Sequence, residues 1–252
     1  MESQLQKSSL KGPFKGNFRL QLVDSAQAKS ENGIMLGTYG IIRNASLFLA
    51  SSVQKGEKDL EELGYLFEKA VLYMTSLGLG TCWLGGTFTK GEFAKALALK
   101  PDEMLLIVSP VGYIADRQRM IEKVMRLGAG SHNRKEWKEL FFQSSFDQVL
   151  SEADAGKYTT PLEMVRLAPS ARNKQPWRIV KDNGKFHFYL QHTKGYSKAL
   201  GYDIQRVDIG IAMCHFELTV QELGLAGHWQ VQSPVNIRTD EATEYIVNWV
   251  EE

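Results

Sequence analysis

The chain has 252 residues, which is long enough for one large domain or two small ones. Its 30 Lys and Arg residues nearly balance 29 Asp and Glu residues, and the formal net charge of +1 gives no global field that would attract nucleic acid or anionic lipid. The composition therefore disfavours a nucleic-acid or membrane-surface partner.

The two cysteines, Cys82 and Cys214, have no neighbouring Cys or His at metal-ligand spacing. We therefore predict reduced thiols, no metal site and a cytoplasmic location. Residues 1–18 are polar and contain Lys, unlike a secretory signal, and nowhere do the roughly 18 apolar residues of a membrane span run together. These features predict a soluble protein without a membrane partner.

The first half begins with residues 1–16, which lack periodicity and predict a loosely held arm. The alternation over Phe18 to Val23 predicts a half-buried strand, and a loop containing Asn32-Gly33 follows. The apolar run from Ala45 to Val53 fits a buried strand, although a helix remains the alternative for so short a run.

Apolar residues at spacings of three and four predict a helix from Leu60 to Leu77, ended by Gly78. A shorter helix is expected over Lys90 to Leu99, before Pro101, and a central strand over Met104 to Val111. A basic section then follows, made up of Arg117, Arg119, Lys123, Arg126, Arg134, Lys135 and Lys138.

The polar, small-residue stretch from Asp147 to Thr160 predicts a linker, which divides the chain into halves of residues 1–146 and 147–252. We expect the halves to form one composite globular unit. A short helix is predicted over Pro161 to Leu167, with Pro in its first turn.

Two strands, Trp177 to Lys181 and Lys185 to Gln191, are predicted to form a hairpin around Asp182-Asn183-Gly184. An apolar-faced helix is expected over Asp208 to Leu223, ended by Gly224. A single final strand and a short tail should close the chain.

The two halves contain a possible repeat. A gapless register that places Gly64 on Gly210 also matches Leu77-Gly78-Leu79 with Leu223-Gly224-Leu225, and Trp83 with Trp229. The alternative is that any two amphipathic helices ended by Gly resemble each other. In this register Gly85-Gly86 has no glycine counterpart, and the stretch Pro169 to Trp177 has no visible counterpart in the first half. We therefore expect one site assembled from pieces of both halves.

Two motifs resemble the flavin-dependent nitroreductase family, in particular its branch with two nitroreductase-like halves fused in one chain. Pro169-Ser170-Ala171-Arg172-Asn173-Lys174-Gln175-Pro176-Trp177 resembles the family's Pro-Ser-x-x-Asn-x-Gln-Pro-Trp motif. Gly78-Leu79-Gly80-Thr81-Cys82-Trp83-Leu84-Gly85-Gly86 resembles its flavin-facing loop. The resemblance implies an α+β fold, with a mixed sheet flanked by helices, and FMN held where two subunits meet. The two halves of this chain would stand in for the subunits.

The resemblance also implies which residues contact FMN. In the second half, the ring and ribityl chain would be contacted by Pro169, Ser170, Ala171 and Asn173. The first-half residues would lie along the ring, with main-chain N–H groups near N5 and O4, and they are Trp83, Leu84, Gly85 and Gly86. Arg134 matches a basic position that binds the FMN phosphate.

One family feature is missing. The family opens with an Arg-Arg-Ser-x-Arg type segment that supplies phosphate contacts, and no such segment lies between Met1 and Val23. We expect either a truncated chain or basic groups supplied from elsewhere.

The resemblance implies an oxidoreductase that transfers electrons from NADH or NADPH to a small nitro or quinone-type acceptor, as a monomer or weak homodimer. Because the cofactor carries out the electron transfer, the lack of a catalytic triad is compatible with this activity. The alternative is a degenerate family member that binds a flavin, ligand or partner without turnover.

Overall fold

The computed structural model describes residues 11–114, 130, 133–196, 200–234 and 236–252. The chain divides into two compact units, Met1–Arg117 and Gln118–Glu252. The unit boundary therefore precedes the predicted one between residues 146 and 147, because a strand at Phe141–Gln143 pairs within the second unit. The basic residues Arg117, Arg119, Lys123 and Arg126 lie outside the described residues.

The first unit contains an antiparallel sheet with helices. Its elements are β1 (Phe18–Asp24), α1 (Ser25–Asn32), β2 (Leu47–Gln54), α2 (Asp59–Ser76), β3 (Gly80–Thr81), α3 (Lys90–Ala96) and β4 (Glu103–Gly112). The strand order is β1-β2-β4-β3. These bounds confirm the predicted strands and helices of the first half, and α1 and β3 are additions.

Helix α1 forms in what was predicted to be a loop. The Asp24 carboxylate accepts hydrogen bonds from the amides of Ala26 and Gln27, and Gly33 ends the helix at a φ of +66°. Because the helix is polar throughout, its sequence has no apolar periodicity that would predict it. Its ends are defined by the Asp24 and Gly33 caps.

The prediction of a loose N-terminal arm is wrong for its described part. Glu62 is fully buried in α2, and its two carboxylate oxygens accept hydrogen bonds from the amides of Gly12 and Phe14, each at 2.9 Å. A single buried carboxylate therefore fixes this segment onto the helix.

The second unit has a larger sheet. Its elements are β5 (Phe141–Gln143), α4 (Glu152–Ala155), α5 (Thr159–Leu167), β6 (Trp177–Asp182), β7 (Lys185–Gln191), α6 (Ile204–Glu222), β8 (Gly227–Gln230) and β9 (Thr243–Glu251). The strand order is β5-β6-β7-β9-β8, in which β5 and β6 are parallel and the other pairs are antiparallel.

Two sequence predictions for this unit are wrong. The expected linker from Asp147 to Thr160 contains α4 and the start of α5, and Ala155 and Tyr158 within it are buried. Two strands follow α6 instead of one. The linker prediction rested on the small and polar residues of this segment. Only a few buried side chains hold it in place, so it has no apolar pattern that would have predicted its helices.

An aromatic cluster forms the core of the second unit. Phe216 of α6 packs against Phe188 at a ring-centroid distance of 5.3 Å and against Trp249 at 5.8 Å, and Tyr158 stacks on Phe216 at 5.8 Å. These rings join the helix to the sheet and to the segment that precedes α5.

The two units share one topology. In each, two antiparallel strands lead into a long helix, and two further strands then pair so that the last strand lies between its predecessor and the second strand. The helix ends also match. Leu79 and Leu225 donate to carbonyls five residues back, beside Gly78 at φ +75° and Gly224 at φ +67°. This is the same Schellman cap, at matched positions of the sequence register.

Among the described residues, no helix is both long and apolar enough to cross a membrane. Neither Cys82 nor Cys214 takes part in a disulfide within that part of the chain.

Candidate functional site

The loop between α5 and β6 has an unusual backbone. Arg172, Asn173 and Gln175 have φ values of 47°, 53° and 48°, although none of them is glycine. Such left-handed conformations cost free energy and persist only where surrounding contacts enforce them. Three in four residues indicate that the loop is held in a defined shape.

Two contacts fix the start of this loop. The Ser170 hydroxyl oxygen accepts a hydrogen bond from the Gln175 amide at 2.9 Å, and the Ala171 amide donates to Oδ1 of Asp208 at 2.9 Å. Pro169 is exposed, whereas Ser170 and Ala171 are half-buried. These three predicted FMN-contacting residues are therefore at least partly accessible, while the backbone of the loop is anchored to Asp208.

Arg134 and Asn173, both predicted to contact FMN, lie in direct contact. The Arg134 guanidinium donates to Oδ1 of Asn173 and, at 3.0 Å, to the carbonyl of Leu167. The Asn173 amide nitrogen donates to the carbonyls of Gly130 and Asn133. Since both N–H groups of Asn173 are used, this side chain positions Arg134 and has no further donor to offer a ligand.

Gln175 joins the same two segments. It is 2% exposed, its Oε1 accepts from the Lys135 amide at 2.8 Å, and its amide nitrogen lies 3.1 Å from Oδ1 of Asn173. These contacts give Gln175 a structural role. Neither the loop nor the 133–135 segment could move without breaking buried hydrogen bonds.

The site carries an excess of positive charge. Arg134, Lys135, Lys174 and Arg178 have no ion-pair partner among the described residues, whereas nearby Arg166 is paired with Glu163 at 2.6 Å. Burial lowers the pKa of Arg134, and Arg166 adds to that effect. Burial, followed by repulsion from Arg178, likewise lowers the pKa of Lys135.

Arg178 is 7% exposed and donates to the carbonyl of Gln175 at 3.1 Å, and burial lowers its pKa to about 10. Glu139 acts on Lys135 and Arg178 in the opposite sense. The cations outnumber this acid, and their mutual repulsion favours an anionic ligand. These groups also fit a phosphate, because the Arg134 guanidinium still has N–H donors in a fork geometry.

The glycine-rich loop in the first unit is supported by Trp83. Its indole N–H donates to Oε2 of Glu68 on α2 at 3.0 Å, and its ring lies 4.7 Å from that of Phe67. A Cβ on Gly80 would lie 2.6 Å from Cγ1 of Ile114, so a larger residue there would displace this exposed side chain. Trp83 therefore fixes the loop to its own helix.

Leu84, Gly85 and Gly86 differ in what they expose. Leu84 is 4% exposed and exchanges both backbone hydrogen bonds with Val108, at 2.9 and 3.1 Å. Leu84 consequently has no backbone donor left for a ligand. Gly85 is half-buried and Gly86 is exposed, so these two present the accessible backbone of the loop.

Comparisons with known proteins agree with this architecture. The family model described as "Putative TM nitroreductase" matches residues 13–220. The α+β fold is therefore accompanied by a sequence match over most of the chain. The chain belongs to this nitroreductase family, and membership supports an oxidoreductase activity. No curated protein matches the chain.

A solved structure that matches nearly the whole chain shows the same fold, and two others match about half of it. A Thermotoga maritima protein described in the same terms is 18% identical, with a TM-score of 0.58, and the match covers 99% of this chain and 82% of that one. A nitroreductase family protein of Clostridium novyi is 18% identical over 47% of this chain and 76% of its own, with a TM-score of 0.35. An FMN-dependent nitroreductase of Clostridium difficile is 16% identical over 47% and 79%, with a TM-score of 0.33.

Sequence reasoning missed Asp208, Lys135 and Arg178 as parts of this site. Asp208 is distant from the loop in sequence and lies within an apolar helix. Its one visible signal is that a carboxylate occupies an otherwise buried helix face, where acids are rare unless paired.

Proposed function

We propose that the protein is an FMN-dependent oxidoreductase that takes electrons from NADH or NADPH and passes them to a small nitro or quinone-type acceptor. Family membership supports the reaction class. The single observation that carries the proposal is the Arg134–Asn173 pair, held beside unpaired cations and next to the Pro169–Ala171 segment.

In this proposal, Arg134 binds the phosphate, and Lys135 and Lys174 add positive charge. Pro169, Ser170 and Ala171 contact the ring and ribityl chain, since a serine hydroxyl can still donate after accepting one hydrogen bond. Asn173 acts by fixing Arg134. These second-unit cations would replace the charge of the Arg-rich segment that is absent between Met1 and Val23.

The resemblance assigns Trp83, Leu84, Gly85 and Gly86 to the flavin ring. Of these, we propose that Gly85 and Gly86 supply the backbone donors, with Trp83 and Leu84 supporting their loop. FMN supplies the electron-transfer chemistry when bound. Backbone N–H groups that are already oriented stabilise charge that grows on a reacting group. The chain itself would bind the cofactor, orient its ring and neutralise the charge of its phosphate.

FMN titration into flavin-free protein tests the proposal. We expect binding in the wild type and affinity reduced about tenfold or more by Arg134→Ala, because a charged hydrogen-bond donor to the phosphate is lost. Lys138→Ala is the matched control, because Lys138 is exposed and already paired with Glu136 at 2.7 Å. Equal affinities in all three proteins would refute the phosphate assignment.

A family member without turnover is the second candidate, favoured by the complete use of the Asn173 amide and the Leu84 backbone. Steady-state oxidation of NADH and NADPH with a quinone acceptor separates the two. The enzyme should exceed the rate of free FMN, whereas the second candidate should not.

A further inference from the structure

Each unit anchors the segment before one strand, β1 in the first unit and β6 in the second, with a carboxylate on its long helix. In the first unit, Glu62 accepts a hydrogen bond from Gly12, and in the second, Asp208 accepts one from Ala171, both at 2.9 Å. The register that aligns Gly64 with Gly210 also aligns the two carboxylates. The anchors are therefore equivalent, although one is Glu and the other Asp.

The anchored segments also correspond. Lys15 donates to the carbonyl of Gly12 at 3.3 Å, and Lys174 donates to that of Ala171 at 3.2 Å. Three residues further along each chain, Phe18 and Trp177 begin β1 and β6. The stretch Pro169 to Trp177 thus has a counterpart in the first unit, which the sequence comparison did not find because no motif residue is shared.

The second oxygen of each carboxylate distinguishes the units. Oε2 of Glu62 accepts from the Phe14 amide at 2.9 Å. Oδ2 of Asp208 is buried and has no hydrogen-bond partner among the described residues. The amide equivalent to Phe14 belongs to Asn173, and it donates to the carbonyl of Ser170 at 2.9 Å instead. The second unit therefore leaves vacant an acceptor position that the first unit fills with its own backbone.

We propose that Asp208 is a ligand-binding residue whose Oδ2 accepts a hydrogen bond from a donor on the flavin, either the ring N3–H or a ribityl hydroxyl. This inference rests on the proposed function. Ser170 and Ala171 are half-buried, and Ala171 is bonded to Asp208, so a flavin covering these residues lies next to the carboxyl group. The first-unit counterpart is closed by Phe14, which predicts one flavin site per chain.

The charges around Asp208 agree with a missing donor. Among the described residues, the ionisable groups coupled electrostatically to its carboxyl are Asp203, Tyr196 and Tyr202, and none of them is cationic. Arg172 acts in turn on Tyr196. Burial raises the pKa of Asp208 to about 8. A donor from the ligand would favour the carboxylate, so flavin binding near pH 7 should release a proton.

The test uses Asp208→Asn, which keeps an oxygen for the Ala171 amide and puts an N–H₂ group where the flavin donor would point. FMN titration should show affinity weaker by about tenfold or more, the expected cost of two opposed donors. Glu62→Gln makes the same change at the first-unit counterpart and should leave affinity within about twofold. Lumiflavin, which has the ring without the ribityl chain, should lose affinity in Asp208→Asn only when N3–H is the donor.

Proton release is a second measurement on the wild-type protein itself, made by calorimetry in two buffers of different ionisation enthalpy. Release on FMN binding, lost in Asp208→Asn, supports the inference. Wild-type affinity in Asp208→Asn, or proton uptake, would overturn the inference and leave the proposed function standing. A wild-type protein that binds no flavin would overturn both.

Discussion

Asp208→Asn should also change how the stability of the flavin-free protein depends on pH. Asp208 is 2% exposed and accepts one hydrogen bond, and no cation is among the causes that shift its pKa. Burial raises its pKa from the ordinary value of 3.8 to about 8. The perturbation removes this ionisable group and retains the oxygen that accepts from Ala171.

The sign follows from proton linkage. The folded protein holds the Asp208 proton more tightly than the unfolded chain does, so this contribution to stability is fully present below a pH of about 3.8. It is lost as the pH rises through about 8. One pKa unit corresponds to about 1.4 kcal/mol, so the loss is at most about 6 kcal/mol. The Asn variant should lack this loss.

Urea unfolding at a series of pH values between about 5 and 9, followed by tryptophan fluorescence, measures the effect. The signal reports mainly on the second unit, which holds Trp137, Trp177, Trp229 and Trp249. The unpaired amide of the variant costs stability equally at every pH. The diagnostic quantity is therefore the slope, which should flatten in Asp208→Asn and persist in the surface control Asp147→Asn. Parallel curves for all three proteins would refute the reasoning.

Three further changes test the contacts around the two loops. Trp83→Phe keeps the ring and removes the hydrogen bond to buried Glu68, so the free energy of unfolding should fall by about 1–3 kcal/mol in chemical denaturation. Gln175→Ala breaks the buried bonds that join the loop to Lys135, and it should reduce stability by about 2 kcal/mol and weaken FMN binding in a titration. Gly86→Val fills the exposed face of the glycine-rich loop, and unchanged FMN affinity and turnover would show that the flavin edge lies elsewhere.

The regular elements could be predicted from the sequence because their signals are local. The spacing of apolar residues located α2 and α6 to within a few residues, and Asp182-Asn183-Gly184 marked the hairpin of β6 and β7. Strand β5 gave no such signal. It has only three residues and forms by parallel pairing with β6, a contact between segments far apart in the chain.

In the candidate site, likewise, the sequence predicts the local motif and does not predict the distant residues that hold it. The Pro-Ser-x-x-Asn motif is contiguous, so a resemblance could locate Pro169, Ser170, Ala171 and Asn173. Its supports are not contiguous, because the loop is held by one hydrogen bond to Asp208 and by several to the 133–135 segment. No periodicity or spacing in the sequence encodes which distant acceptor a strained backbone will use.

The relation between the units follows from hydrogen bonds more than from residue identity. Gly12 and Ala171 differ, and so do Glu62 and Asp208, yet each pair makes the same anchoring contact. Their second oxygens then diverge, because a longer Glu side chain reaches two amides where Asp reaches one. In the first unit, backbone amides donate to both oxygens of Glu62, so no ligand donor is needed there. The unit that leaves Asp208 half-satisfied is the one that also gathers unpaired cations, and both features favour a bound anion that carries hydrogen-bond donors.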